Sequence, residues 1–229
     1  MLNLLISCLS KYGLECNMLK TKVLTTELNT DDDHSFDCAL GNISVLSADE
    51  THKYLGRKFA GDLRKRARTA IDFRIQCAWI KFRELRQSLC NRHVSIRSRL
   101  RLFDAVVTPT LLYGLETVPF SSMAKQRVDT VFRKMLKLIV GWTIHEEKSW
   151  EENGRIMKDK VRRALNLYPV AFWSESVEKR RCKLKSRIME GRAPQLTTRT
   201  VNFEPRRCQE RNGTRTYRKV GRPPWRWED

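Results

Sequence analysis

A chain of 229 residues with 41% hydrophobic content is long enough to bury a core, as one or two domains. Its 45 Lys and Arg against 26 Asp and Glu give a formal net charge of +19, a self-repulsion to be offset by an anionic partner or by spreading the charge, with nucleic acid the leading candidate. The seven cysteines are odd in number, scattered and never paired as Cys-x-x-Cys, so they indicate neither a disulfide framework nor a zinc site, and a reducing compartment is the default.

In chain order, Leu2, Leu5, Ile6 and Leu9 share one face of a helix over residues 2–12, and Gly13 stands where a left-handed C-cap would end it. The apolar run Leu2 to Leu9 lacks the basic leader and small-residue cleavage site of a secretory signal and is too short to span a membrane. A nuclear or cytoplasmic location is expected, not secretion. Leu14 and Cys16 alternate with Glu15 and Asn17 as a short strand does, and Val23 and Leu24 open a second, with Lys20 and Lys22 flanking Thr21 between them. Thr30 to His34 reads as a loop, and strand-like pieces follow at residues 36–40 and 43–46. A small antiparallel ribbon is predicted for residues 1–60.

From Arg64 the period changes. Ile71, Ile75, Ala78, Trp79, Phe82, Leu85 and Leu89 recur at three and four residues, the buried face of one long helix. Ser95 can cap a second, carrying Ile96, Leu100, Phe103, Val106 and Val107 until Pro109 bends or ends it. A third runs from about Ser122 to Val140 with Val128, Val131, Phe132, Met135, Leu138 and Ile139 inward, and Gly141 stops it. Residues 61–150 therefore predict a helical bundle. In residues 151–229, Arg155 to Leu167 and Ser174 to Met189 keep helical spacing, whereas the Pro- and Arg-rich residues 191–229 read as extended or disordered. The fold class expected is α+β, mainly α, with a basic, partly disordered tail.

Charge follows the same division. Residues 1–63 carry six Lys and Arg against nine Asp and Glu, and residues 64–229 carry 39 against 17. The cationic surface thus begins where the helices do. Arg64, Lys65 and Arg68 open the first long helix in a run, Arg64 to Arg68, that is either a nuclear localisation signal or a helix's basic start. Arg97 and Arg101 flank the second helix and Lys134 the third. In the tail, Arg206, Arg207, Arg218, Arg222 and Arg226 are interleaved with aromatics including Trp225, a composition suited to phosphate contact with stacking on single strands.

Four stretches stand in one order: GLECNMLKTK at 13–22, HKYLG at 52–56, RLRLFDAVVTPTLLYGLET at 99–117 and VGRPPWRWED at 220–229. Together they resemble the reverse transcriptase of non-LTR retrotransposons of the LINE type, RTE- or jockey-like. The resemblance implies the end of a palm at residues 1–60, a thumb at 61–150 and a C-terminal segment at 151–229. It makes Lys20 the palm lysine near the departing pyrophosphate, where a cation stabilises developing charge. It likewise makes Tyr54, Leu55 and Gly56 the turn that presses on the primer backbone.

The departure from the family matters as much. Two-metal nucleotidyl transfer needs paired aspartates on a strand turn, in the family an aromatic-Ala-Asp-Asp motif binding Mg2+, and this chain contains none. Asp31, Asp32 and Asp33 follow Leu28, Asn29 and Thr30 rather than an aromatic strand end, and read as a solvated loop. The expectation is a remnant without catalysis of its own and with no cofactor, binding template-primer duplex or single strands of RNA or DNA. No membrane association and no small-molecule substrate are evident. The alternatives are a decayed transposon product without a role and an independent basic helical nucleic-acid-binding module.

Overall fold

The structure, a computed structural model, describes residues 2–17, 20–23, 35–38, 41–47, 50–142, 144–192, 197, 208–211 and 214–217. The chain forms two compact units, Met1–Arg74 and Ile75–Asp229. It is α+β and mainly α, as its periodicities predict. No described helix is long and apolar enough to cross a membrane.

The first unit opens with α1 (Leu2–Lys11). Gly13, at φ 70°, closes it: the Leu14 N–H donates to the Leu9 carbonyl (3.0 Å) and the Gly13 N–H to the Ser10 carbonyl (3.1 Å), the paired bonds of a Schellman cap. The strand expected at residues 14–17 does not form. Asn17 accepts the Lys20 N–H at both its carbonyl and its side chain (3.1 Å each), and this local turn competes successfully with strand pairing. Val23 makes a single parallel bridge to Val45, and Leu24 lies outside the described residues.

Two antiparallel ribbons follow. β1 (Ser35–Cys38) pairs with β2 (Gly41–Ser44), and β3 (Thr51–Tyr54) pairs with β4 (Arg57–Ala60). Ile43, Leu46 and Ala60, with Ala70 and Ile71 from the first turns of α2 (Leu63–Glu84), are the buried apolar residues of this unit among those described.

The second unit holds α3 (Arg86–Leu89), α4 (Ile96–Leu102), α5 (Thr108–Leu112), α6 (Ser122–Val140), α7 (Trp150–Leu167) and α8 (Trp173–Arg187). Ser95 caps α4 by accepting the Ser98 N–H, as its sequence position predicts. Pro109 does not end the helix that follows. The helical backbone runs on from α4 through a π turn, Phe103–Val107, into α5, with Val107 and Thr108 both right-handed helical, and the wider turn lies just before Pro109, which has no N–H to donate. On α6 the inward face is Val128, Phe132, Met135, Leu136 and Ile139; Leu138, expected inside, is exposed, because the buried stripe follows the 135, 136, 139 spacing.

The core is aromatic. Trp173 stacks on Phe103 (centroids 5.8 Å, planes 19° apart) and tilts against Phe132 (5.2 Å), while Phe103 meets Phe82 and Phe132 at 6.4 and 6.0 Å. The Trp173 indole Nε1 donates to Thr108 Oγ1 (3.1 Å), so the one polar atom of the buried ring is satisfied. Asp129 of α6 then caps α8 from outside, accepting the Ser174 N–H at 3.1 Å and the Ser174 hydroxyl at 2.7 Å.

In the tail, β5 (Cys208–Arg211) pairs with β6 (Thr214–Tyr217), with Arg211 opposite Thr214. Asn212 and Gly213 lie between the strands in sequence, the strongest short signal for a hairpin connection.

Trp173→Ala should cost about 3–5 kcal/mol of unfolding free energy in urea or guanidinium titrations. Thr108→Val, which keeps the ring and orphans its N–H, should cost about 1–3 kcal/mol.

Candidate nucleic-acid interface

The Tyr-Leu-Gly sequence is the tip of the β3–β4 hairpin. Tyr54 pairs with Arg57, leaving Leu55 and Gly56 as a two-residue loop at φ 47° and 75°. Positive φ at both positions is the pattern of a type I′ turn, which matches the twist of the strands but suits Asn-Gly better than Leu-Gly. Leu55 is the sole non-glycine residue at positive φ among the described residues, and it is 71% exposed. The core therefore does not compel this conformation. Tyr54 is exposed beside it, and Arg74, itself buried, donates Nη1 to the Gly56 carbonyl (3.1 Å), fixing the tip to α2. A strained, exposed apolar residue on an anchored turn is a presented surface.

Lys20 lies exposed in the turn after Asn17, and no described hydrogen bond ties its side chain to that tip. The neighbouring Lys22 instead reaches β2, its Nζ donating to Ser44 Oγ. Lys65 and Arg68 are exposed on α2, Arg68 in a loose 3.8 Å pair with Asp72, a contact worth little at a surface. The Arg64 side chain lies outside the described residues, as do Arg206, Arg207, Arg218, Arg222, Trp225 and Arg226. Arg97 and Arg101, one turn apart on α4, are exposed, and so is Lys134 on α6. Arg99, between the first two, turns inward: it is buried and donates to the Ile139 carbonyl, and burial lowers its guanidinium pKa. Burial likewise pushes the Cys90 thiol upward, against the opposing pull of Arg86 and Arg99, so this cysteine is a poor nucleophile at neutral pH.

The LYGLE motif forms the turn after α5. Gly114 at φ 73° permits it, Leu115 is buried and Tyr113 faces solvent.

A cleft lies between the end of α6 and the start of α7. Its volume is about 400 Å3, and Lys137, Trp142, Trp150, Gly154, Arg155 and Lys158 line it together with Glu151. The two indoles lie 6.2 Å apart, tilted by 39°, and the Lys137 ammonium sits 5.3 Å from the Trp142 ring centre. Trp142 follows directly on Gly141, whose φ of 88° ends α6. Asn153 folds the intervening loop back: its Oδ1 accepts the His145 N–H (2.9 Å) and its Nδ2 donates to the carbonyls of His145, Lys148 and Ser149 at 3.0–3.2 Å. Ser149 and Glu152 form a capping box that places Trp150 at the first position of α7. That box, Ser-x-x-Glu, was legible in the sequence; the meeting of the two tryptophans was not.

Among the described residues no group of three His, Cys, Asp or Glu could hold a metal ion, and Asp31, Asp32 and Asp33 lie outside them. The described side chains therefore do not fit the Mg2+ pair of a polymerase.

Replacing Leu55 with Asn should relieve the left-handed strain and raise stability by about 1 kcal/mol in denaturant titration. An unchanged or lower midpoint would show that Leu55 is held by favourable contacts instead.

No family model matches the chain, and no solved structure matches it at a significant level. A Caenorhabditis elegans protein named as transposon-derived is 27% identical over 235 residues, spanning 100% of this chain and 75% of the relative.

Proposed function

We propose that this chain is the palm end, thumb and C-terminal segment of a non-LTR retrotransposon reverse transcriptase, and that it binds template-primer nucleic acid without transferring nucleotides. The observation that carries this reading is the β3–β4 tip. Tyr54, Leu55 and Gly56 are the residues that the resemblance makes a primer grip, and they form a hairpin turn anchored by Arg74 that leaves the Tyr54 and Leu55 side chains exposed. The transposon-derived relative supports the lineage along the whole chain.

Chemically, the chain offers contact rather than catalysis. Arg97, Arg101 and Lys134 are exposed on helices of the second unit and Lys65 and Arg68 on α2, each able to meet a phosphate. An exposed tyrosine and leucine on a rigid turn provide an apolar wall for a sugar-phosphate backbone. By the resemblance Lys20 is a phosphate-facing cation, but the sequence supplies no aromatic-Ala-Asp-Asp motif to place a phosphate beside it.

Binding of a labelled primer-template duplex, measured across a salt series, should weaken with a log-log slope of about −5 if roughly six phosphates are contacted. A flat dependence would sink the reading. In a primer-extension assay on primed RNA with added magnesium, the chain should incorporate no more nucleotide than a no-protein control.

A further inference from the structure

The cleft between α6 and α7 is unexplained by folding. Tryptophan is among the most buried residue types on average, yet Trp150 is 75% exposed and Trp142 38%. Neither ring joins the aromatic core around Trp173. Gly154 adds a second anomaly. It lies within α7, where glycine costs about 0.5–1 kcal/mol relative to alanine, and a Cβ built there meets nothing within 4 Å. Packing does not exclude a side chain at this position. What the glycine keeps is open space in the floor of the cleft.

The rim is cationic. Lys137, Arg155 and Lys158 outnumber Glu151, and among the described residues no ion pair neutralises any of the three. Aromatic faces open to solvent, framed by cations about a site of small-ligand size, fit a planar base attached to phosphates.

We propose that this cleft is a single-strand binding subsite in which one unpaired base of DNA or RNA stacks on the Trp142–Trp150 pair, over Gly154, while Lys137, Arg155 and Lys158 hold the flanking phosphates. The inference rests on the nucleic-acid reading above and deepens it. A duplex does not suit this site, because its bases are stacked on each other and present no free face. A protein partner would need to bring acidic groups and a planar ring together in a comparably small insert; an unpaired nucleotide carries both as a unit.

The full chain tests this by fluorescence anisotropy with labelled oligodeoxythymidylate, labelled oligouridylate and a labelled duplex. Trp142→Ala and Trp150→Ala should each weaken single-strand binding on the order of 5- to 150-fold, while duplex affinity stays unchanged and, for Trp150→Ala, whose ring is 75% exposed, so does the thermal midpoint. Gly154→Leu, which adds bulk to the cleft floor and raises helix propensity, should do the same without loss of stability. Lys158→Gln should also reduce the salt slope for single strands by about 0.7. Unchanged single-strand affinity in the tryptophan and Gly154 variants would overturn the subsite and leave duplex binding standing. If the wild-type chain binds neither single strands nor duplex, the nucleic-acid reading falls and the subsite with it.

Discussion

Burying the Trp173 ring requires that its N–H be given a partner inside the core, and much of the second unit is arranged around that requirement. Thr108 supplies the acceptor from α5, Phe103 the stacking surface from the π turn, and Phe132 the edge from α6. An indole left unpaired in such a setting would forfeit a hydrogen bond that water otherwise supplies. Two stretches of sequence, residues 103–112 and α6, are thus fixed to one side chain 41 or more residues away, and Asp129 adds a charge-assisted cap beside it.

This arrangement accounts for the placement of the cations. With the apolar faces of α4, α6 and α8 turned toward the aromatic cluster, arginines and lysines on those helices are left largely outside. Arg99 on α4 and Arg181 on α8 are the buried exceptions, and Arg99 is the informative one. Its neighbours Arg97 and Arg101 remain exposed, whereas Arg99 falls on the buried stripe beside Leu100 and must find the Ile139 carbonyl at the end of α6. One arginine of that cluster ties α4 to α6 while the other two stay at the surface.

Periodicity made the long helices legible, because α2, α6 and α7 each carry a stripe that repeats within one element. It failed where structure depends on competition between local and distant partners. At Asn17 a side-chain turn displaced an expected strand, and at Pro109 the π turn absorbed a residue that was expected to bend or end a helix. The Tyr-Leu-Gly turn was visible as a motif, though its strain, a leucine held at positive φ, shows only in the backbone. Trp142 and Trp150 escaped notice for a different reason: they flank a break between helices, and their meeting is made by Asn153, a polar residue with no hydrophobic signature.

The π turn carries one more implication. An extra residue in a helix rotates everything beyond it by about 100°, and beyond this one the buried stripe takes in Thr108 and Leu112. The segment between Phe103 and Val107 therefore acts as a phase setting. Its residues can be exchanged for others of similar size, but its length cannot change by one without turning the Trp173 acceptor out of the core. In a lineage free to drift in composition, residue count would be the more stringent constraint on this part of the chain.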